Sequence, residues 1–135
     1  MLEIDTGYQA AVLSHLARKI YTIEKLYKLH EVTDRLLKEQ GYNNIESRCS
    51  NGNNGWYEKA PFDAIIVTAA TPHISPALIE QLKPGGRMVI PVGLPHMLQE
   101  LMLLTKAADG STKTDAILLV SFVPLAVSDD DSHPT

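Results

Sequence analysis

Leu2-Glu3-Ile4-Asp5-Thr6-Gly7-Tyr8-Gln9 reads as a short apolar strand that runs into a turn and then into a helical pattern. In an open α/β sheet, ligands bind beyond the carboxyl ends of the strands, where a helix N-terminus offers free N–H groups and the positive end of its dipole. A ligand site is therefore expected at residues 5–9. Nucleotide-binding turns use several glycines so that the backbone can approach the ligand. This one has Gly7 alone and reads as shortened.

Outward from that turn, residues 9–19 form a helix with Val12, Leu13 and Leu16 near one face. Ile20-Tyr21-Thr22-Ile23 is a second strand that ends on Glu24. Over 25–40 the residues Leu26, Leu29, Val32, Leu36 and Leu37 have helical spacing, and Gly41 stands where a left-handed cap belongs. A third strand over 44–49 leads into the turn-rich Ser50-Asn51-Gly52-Asn53-Asn54-Gly55, with Trp56 and Tyr57 expected to anchor it. Phe62-Asp63-Ala64-Ile65-Ile66-Val67 is almost continuously apolar, the pattern of a strand buried on both faces near the sheet centre.

Ser75 and Pro76 supply a helix cap and first turn for a short helix over 77–82, which Pro84-Gly85-Gly86 is expected to end before a strand over 87–92. The strand-like runs 98–105 and 114–123 flank the turn dipeptide Asp109-Gly110, which predicts an antiparallel hairpin. The expected class is α/β: a doubly wound, mostly parallel sheet with an antiparallel C-terminal hairpin. Residues 1–127 make one domain, and 128–135 make a polar, acidic, disordered tail.

The 135 residues are 44% hydrophobic and 21% charged, as in an ordinary globular domain. Asp129, Asp130 and Asp131 account for three of the four net negative charges, so no nucleic-acid footprint is expected. The most apolar segment, 116–127, is broken by Ser121 and Pro124 and is too short for a membrane span, and no signal peptide is visible. Cys49 is the only cysteine, so an intrachain disulfide is impossible, which fits the cytoplasm. Its expected role is that of a small, half-buried residue.

Glu24 follows the glycine turn by an interval that lets an acid at the end of the second strand accept both hydroxyl protons of a ribose. The same spacing fits a solvated strand end equally well. Asn51-Gly52, on the same sheet edge, suits an adenine ring met by an amide and a close backbone, and it also suits an ordinary turn. His15, His30, His73, His96 and His133 show no metal-site spacing, and no metal is expected. Neither a Gly-x-Ser-x-Gly elbow nor a P-loop is present. An NAD-dependent dehydrogenase would use the turn and Glu24, but the three-glycine fingerprint is missing.

Several segments in order carry a resemblance over most of residues 1–125. They are Thr6-Gly7-Tyr8-Gln9-Ala10-Ala11-Val12-Leu13, Tyr21-Thr22-Ile23-Glu24, Ala60-Pro61-Phe62-Asp63 and Thr68-Ala69-Ala70. They continue as Gln81-Leu82-Lys83-Pro84-Gly85-Gly86-Arg87, Ile90-Pro91-Val92-Gly93 and Phe122-Val123-Pro124-Leu125. Together they resemble the protein-L-isoaspartate O-methyltransferase family, with its Rossmann-like methyltransferase fold. The resemblance implies methyl transfer from S-adenosylmethionine to the carboxylate of L-isoaspartyl residues in damaged proteins, a step in protein repair. It puts Gly7 at the methionine end of the cofactor, Glu24 at the ribose, and Asn51 and Gly52 at the adenine, and it counts Thr6, beside Gly7, among the cofactor-binding residues. It assigns no catalytic residue. In-line displacement at a sulfonium carbon needs positioning and desolvation more than a strong base.

The chain departs from that pattern at three points. Two glycines of the family's first loop are missing before Tyr8, and Asn51 stands where the family has an acid. Enzymes of the family also carry a segment ahead of the first strand, with a serine-bearing stretch near the transferred methyl, whereas Met1 here leads directly into Leu2. The expectation is a truncated methyltransferase-like domain that self-associates through uncovered sheet surface. The alternative is a non-catalytic remnant acting as a binding module.

Overall fold

The computed structural model of the protein describes residues 1–4, 18–24, 27–94 and 97–120. In chain order these give β1 (Leu2–Ile4), β2 (Ile20–Glu24), α1 (Tyr27–Glu39), β3 (Ile45–Cys49), 3-10 turns at Gly52–Asn54 and Tyr57–Lys59, and β4 (Phe62–Val67). They continue with α2 (Pro76–Gln81), β5 (Leu82–Val92), β6 (Gln99–Lys106) and β7 (Thr112–Val120). The turn expected at Thr6 and Gly7, the body of the helix expected over 9–19 and the tail expected at 128–135 lie outside the described residues.

One seven-stranded sheet runs β3-β2-β1-β4-β5-β6-β7. The first five strands in that order make four parallel pairs, and β6 joins β5 and β7 antiparallel. This is the doubly wound, mostly parallel sheet with an antiparallel hairpin that the pattern implies. The chain steps outward through β2 and β3 on one side of β1 and through β5 on the other. The winding therefore reverses between β1 and β4, and the carboxyl ends of the strands at such a reversal are where a doubly wound sheet has its ligand crevice.

Register assigns residues to the two faces, because parallel partners point the same way. Leu2 and Ile4 align with Tyr21 and Ile23 on one side and with Ile65 and Val67 on the other. That line continues through Met88 and Ile90 to Leu104 and Met102. This face carries the main core, closed by Trp56, Phe62, Leu78 and Leu82. On the opposite face, Ile20 packs with Met1, Ile45 and Ile66.

β4 has the expected bounds and lies fourth of seven strands. Only Phe62, Ile65 and Val67 are buried, however; Ala64 and Ile66 are half-buried, and Asp63 is exposed beside the N-terminal ammonium at 3.4 Å. The entry to the strand lies at the wet amino edge of the sheet, so burial on both faces is not reached.

α1 differs from its apolar spacing. Val32 and Leu36 are 49% and 52% exposed, whereas Leu37 is buried. Asp34 turns toward the sheet, where its carboxylate accepts the Ser47 hydroxyl of β3 at 2.6 Å. The face of the helix turned to the sheet thus includes Asp34 and Leu37. Its end follows expectation: Gly41 has φ +82°, its N–H reaches the Lys38 carbonyl, and the Tyr42 N–H reaches the Leu37 carbonyl. These two bonds form a Schellman cap, which needs a left-handed residue at Gly41.

A second correction concerns the junction of α2 with β5. The helix ends at Gln81 and the strand begins at Leu82, with no turn between them. Pro84-Gly85-Gly86 does not end the helix; it bulges within the strand, since Phe62 pairs with Leu82 and Ala64 already pairs with Arg87. Lys106 on β6 takes over the capping, donating to the carbonyls of Ile79 and Leu82 at 3.0 and 2.8 Å. The Ser75 side chain does not cap α2 and instead donates to the Asn53 carbonyl at 2.6 Å. The hairpin forms as expected across Asp109 and Gly110, where Gly110 has φ +90° and Asp109 accepts the Ser111 N–H and hydroxyl.

Candidate functional site

The ends of β1, β2, β3 and β4 converge on the crevice side of the sheet. Ile4 is the last described residue before residues 5–9, where the sequence leads one to expect a turn. Past Val67, Thr68 donates both its N–H and its hydroxyl to the Ile4 carbonyl at 3.3 and 3.2 Å, fastening β4 to the end of β1. Glu24, the last residue of β2, is half-buried and aligns with Cys49 at the end of β3. The Ser50 N–H then donates to the Glu24 carbonyl at 3.1 Å, carrying the pairing one residue further.

Cys49 is half-buried, as expected, and its thiol pKa is raised, first by burial and then by the negative charge of Glu24.

The loop after β3 turns back onto β1. The Asn51 side chain accepts the Asn53 N–H at 2.9 Å and caps the first 3-10 turn. Gly52 is buried directly on Ile4, so close that a Cβ there would collide with Ile4 Cγ2. Glycine is needed for that approach. Trp56 closes the loop: it is 7% exposed, stacks edge-on with Tyr21 at 5.5 Å, and lies beneath the Arg48 guanidinium at 5.3 Å. Tyr57 is not an anchor of the same kind. It is 54% exposed and reaches Glu80 by its hydroxyl at 3.3 Å.

Of the five residues singled out for a cofactor, Glu24, Asn51 and Gly52 lie on one sheet edge beside Ile4, and Thr6 and Gly7 lie outside the described residues. Among the described residues, no group of three His, Cys, Asp or Glu could hold a metal ion. His30 is half-buried on α1 and His73 is exposed, while His15, His96 and His133 lie outside the described residues. No helix among the described residues is long and apolar enough to cross a membrane.

Sequence reasoning missed Thr68 and Gln81 as individual residues. Gln81 is 1% exposed at the end of α2, its Oε1 accepting the Trp56 N–H at 2.7 Å and its Nε2 donating to the Asn54 carbonyl at 2.8 Å. A glutamine ending a short helix carries no periodic signal. Only the adjacent asparagine-rich and glycine-rich loop, whose backbone polar groups need partners, hints at such a residue.

Comparison with known proteins agrees with this architecture. The chain is 54% identical over 127 residues to a protein-L-isoaspartate O-methyltransferase 2 of Polaromonas sp., covering 93% of this chain and 60% of that protein. It is 52% identical over 127 residues to the corresponding protein of Syntrophobacter fumaroxidans, covering 51% of it. The chain thus spans about half the length of these relatives. A solved protein-L-isoaspartate O-methyltransferase superposes with a TM-score of 0.86 at 30% identity, over 93% of this chain and 41% of that one. A Plasmodium falciparum structure described as a putative member, in complex with S-adenosyl-L-homocysteine, shares the fold with a TM-score of 0.72 at 20% identity, over 93% of this chain and 64% of that one. The family model for protein-L-isoaspartate(D-aspartate) O-methyltransferase matches residues 1–130, and the chain belongs to that family.

Proposed function

We propose that this protein binds S-adenosylmethionine at the carboxyl edge of β1, β2 and β3 and serves methyl transfer to the free α-carboxylate of L-isoaspartyl residues in damaged proteins. The observation that supports this most is the meeting of three strand ends at one edge, with Glu24 aligned with Cys49 and Gly52 resting on Ile4. The residues fit such a cofactor chemically. A carboxylate at the end of β2 accepts two hydroxyl protons of a ribose, and a loop held close by a glycine offers backbone N–H groups and an amide to an adenine. In this reading Thr6 and Gly7 face the methionine end.

When bound, the cofactor supplies a methyl group activated on a sulfonium. The work of the chain is to orient that group and exclude water, which suits a displacement needing no strong base. No residue is assigned to proton transfer.

The test is transfer of labelled methyl from S-adenosylmethionine to a peptide containing L-isoaspartate and to the same peptide containing aspartate. Labelling of the isoaspartyl peptide alone supports the reading. Labelling of neither, by protein that still binds S-adenosylhomocysteine, refutes the transfer and leaves a binding module.

A further inference from the structure

We infer that Gln81 is a positioning residue for the cofactor edge: it acts from α2 through the loop over residues 51–56 and touches no ligand itself. The inference rests on the cofactor reading above for its consequence, though not for its geometry.

Both ends of the Gln81 amide are used, and in only one sense. Trp56 N–H is a donor and Asn54 C=O is an acceptor, so Oε1 must face the first and Nε2 the second. Turning the amide over would oppose donor to donor and acceptor to acceptor. The loop has closed around this side chain: Gly55, at φ +63°, leaves no room for a Cβ, which would collide with Gln81 Oε1 and come within 2.7 Å of its Cδ and Nε2. Ser75, just before α2, adds a third link through its hydroxyl to the Asn53 carbonyl at 2.6 Å. Three of the four residues 53–56, all but Gly55, thereby hang on one short helix and the serine before it.

The other end of the same loop is Asn51 and Gly52, with Gly52 pressed onto Ile4. A loop fixed at α2 and abutting β1 has little freedom to retreat from the crevice. Releasing the α2 end lets residues 51–56 move as a unit, so the adenine end of the site loses its placement while Glu24, on β2, keeps its own.

Trp56 is the only tryptophan in the chain and reports on the loop directly. The test compares wild type, Gln81→Leu, Ser75→Ala and Leu104→Val by Trp emission and acrylamide quenching without ligand, and by titration with S-adenosylhomocysteine. Leu104→Val trims a buried β6 side chain away from the loop and serves as the control for simple loss of stability. Gln81→Leu is expected to shift emission to the red, increase quenching and weaken binding about tenfold. Ser75→Ala, the milder change, moves both in the same direction and stands in if Gln81→Leu does not fold. Leu104→Val lowers the melting temperature and changes neither. Unchanged emission and quenching in both loop variants overturns the inference, as does a loosened Trp56 with unchanged affinity. Absence of binding by wild type refutes the cofactor reading instead, and the emission arm still decides whether Gln81 holds the loop.

Discussion

Replacing Gly52 by alanine probes the contact on which the site is built. The added Cβ falls on Ile4 Cγ2, well inside the about 3.5–4.0 Å at which carbon atoms pack. Ile4 is 1% exposed and held in register by Ile23 and Val67, so its methyl has nowhere to turn. The loop must lift instead. Overpacking of this kind costs about 1–3 kcal/mol, and here the displaced element carries Asn51. We expect Gly52→Ala to lower unfolding stability in urea by that amount and to weaken S-adenosylhomocysteine binding. Ile4→Leu moves the branch away from Cβ at nearly constant volume and removes Cγ2. It should cost less than about 1.5 kcal/mol alone and recover part of the loss in the double variant. A Gly52→Ala protein within about 0.5 kcal/mol of wild type, or strict additivity in the double variant, would refute the steric argument.

Glu24→Ala should weaken S-adenosylhomocysteine by about 1.5–3 kcal/mol, the range for hydrogen bonds to a charged group; equal affinity by calorimetry removes Glu24 from the site. The Asp34 carboxyl is held below its ordinary pKa by the Ser47 hydroxyl and then by Lys38, so its contribution is present above the unfolded value and disappears as pH falls through the folded one. Ser47→Ala should therefore cost about 1 kcal/mol near neutral pH, and the gap to wild type should close in acid; a gap that persists there contradicts the assignment. Alkylation of Cys49 at pH 8 should be slow and should quicken in Glu24→Gln, because one of the two causes of its raised pKa is gone. An unchanged rate, followed by mass spectrometry, would separate Glu24 from that thiol.

The elements legible in the sequence are those whose signal is local. The apolar run at β4, the helix end at Gly41 and the turn at Asp109-Gly110 each carry their own chemistry, and each appears where expected. Failures arise where a distant partner overrides the local pattern. Leucine spacing in α1 points to Leu36, yet Asp34 meets Ser47 on β3 while Leu36 is exposed. Pro84-Gly85-Gly86 has turn composition, yet pairing of Phe62 with Leu82 extends β5 around it as a bulge. The position of Glu24 and Asn51-Gly52 at strand ends is legible because the strand pattern itself places them there, and strand ends in a doubly wound sheet are where a ligand is expected. Gln81 is not, because its role depends on which loop the fold brings against it.

The central claim is that the carboxyl edge around Ile4, Glu24 and Gly52 holds the cofactor, and isothermal titration of the protein with S-adenosylhomocysteine tests it most directly. The account predicts saturable binding with one ligand per chain, weakened by Glu24→Ala and by Gly52→Ala. No saturable heat from folded protein, or binding that neither substitution alters, would contradict it.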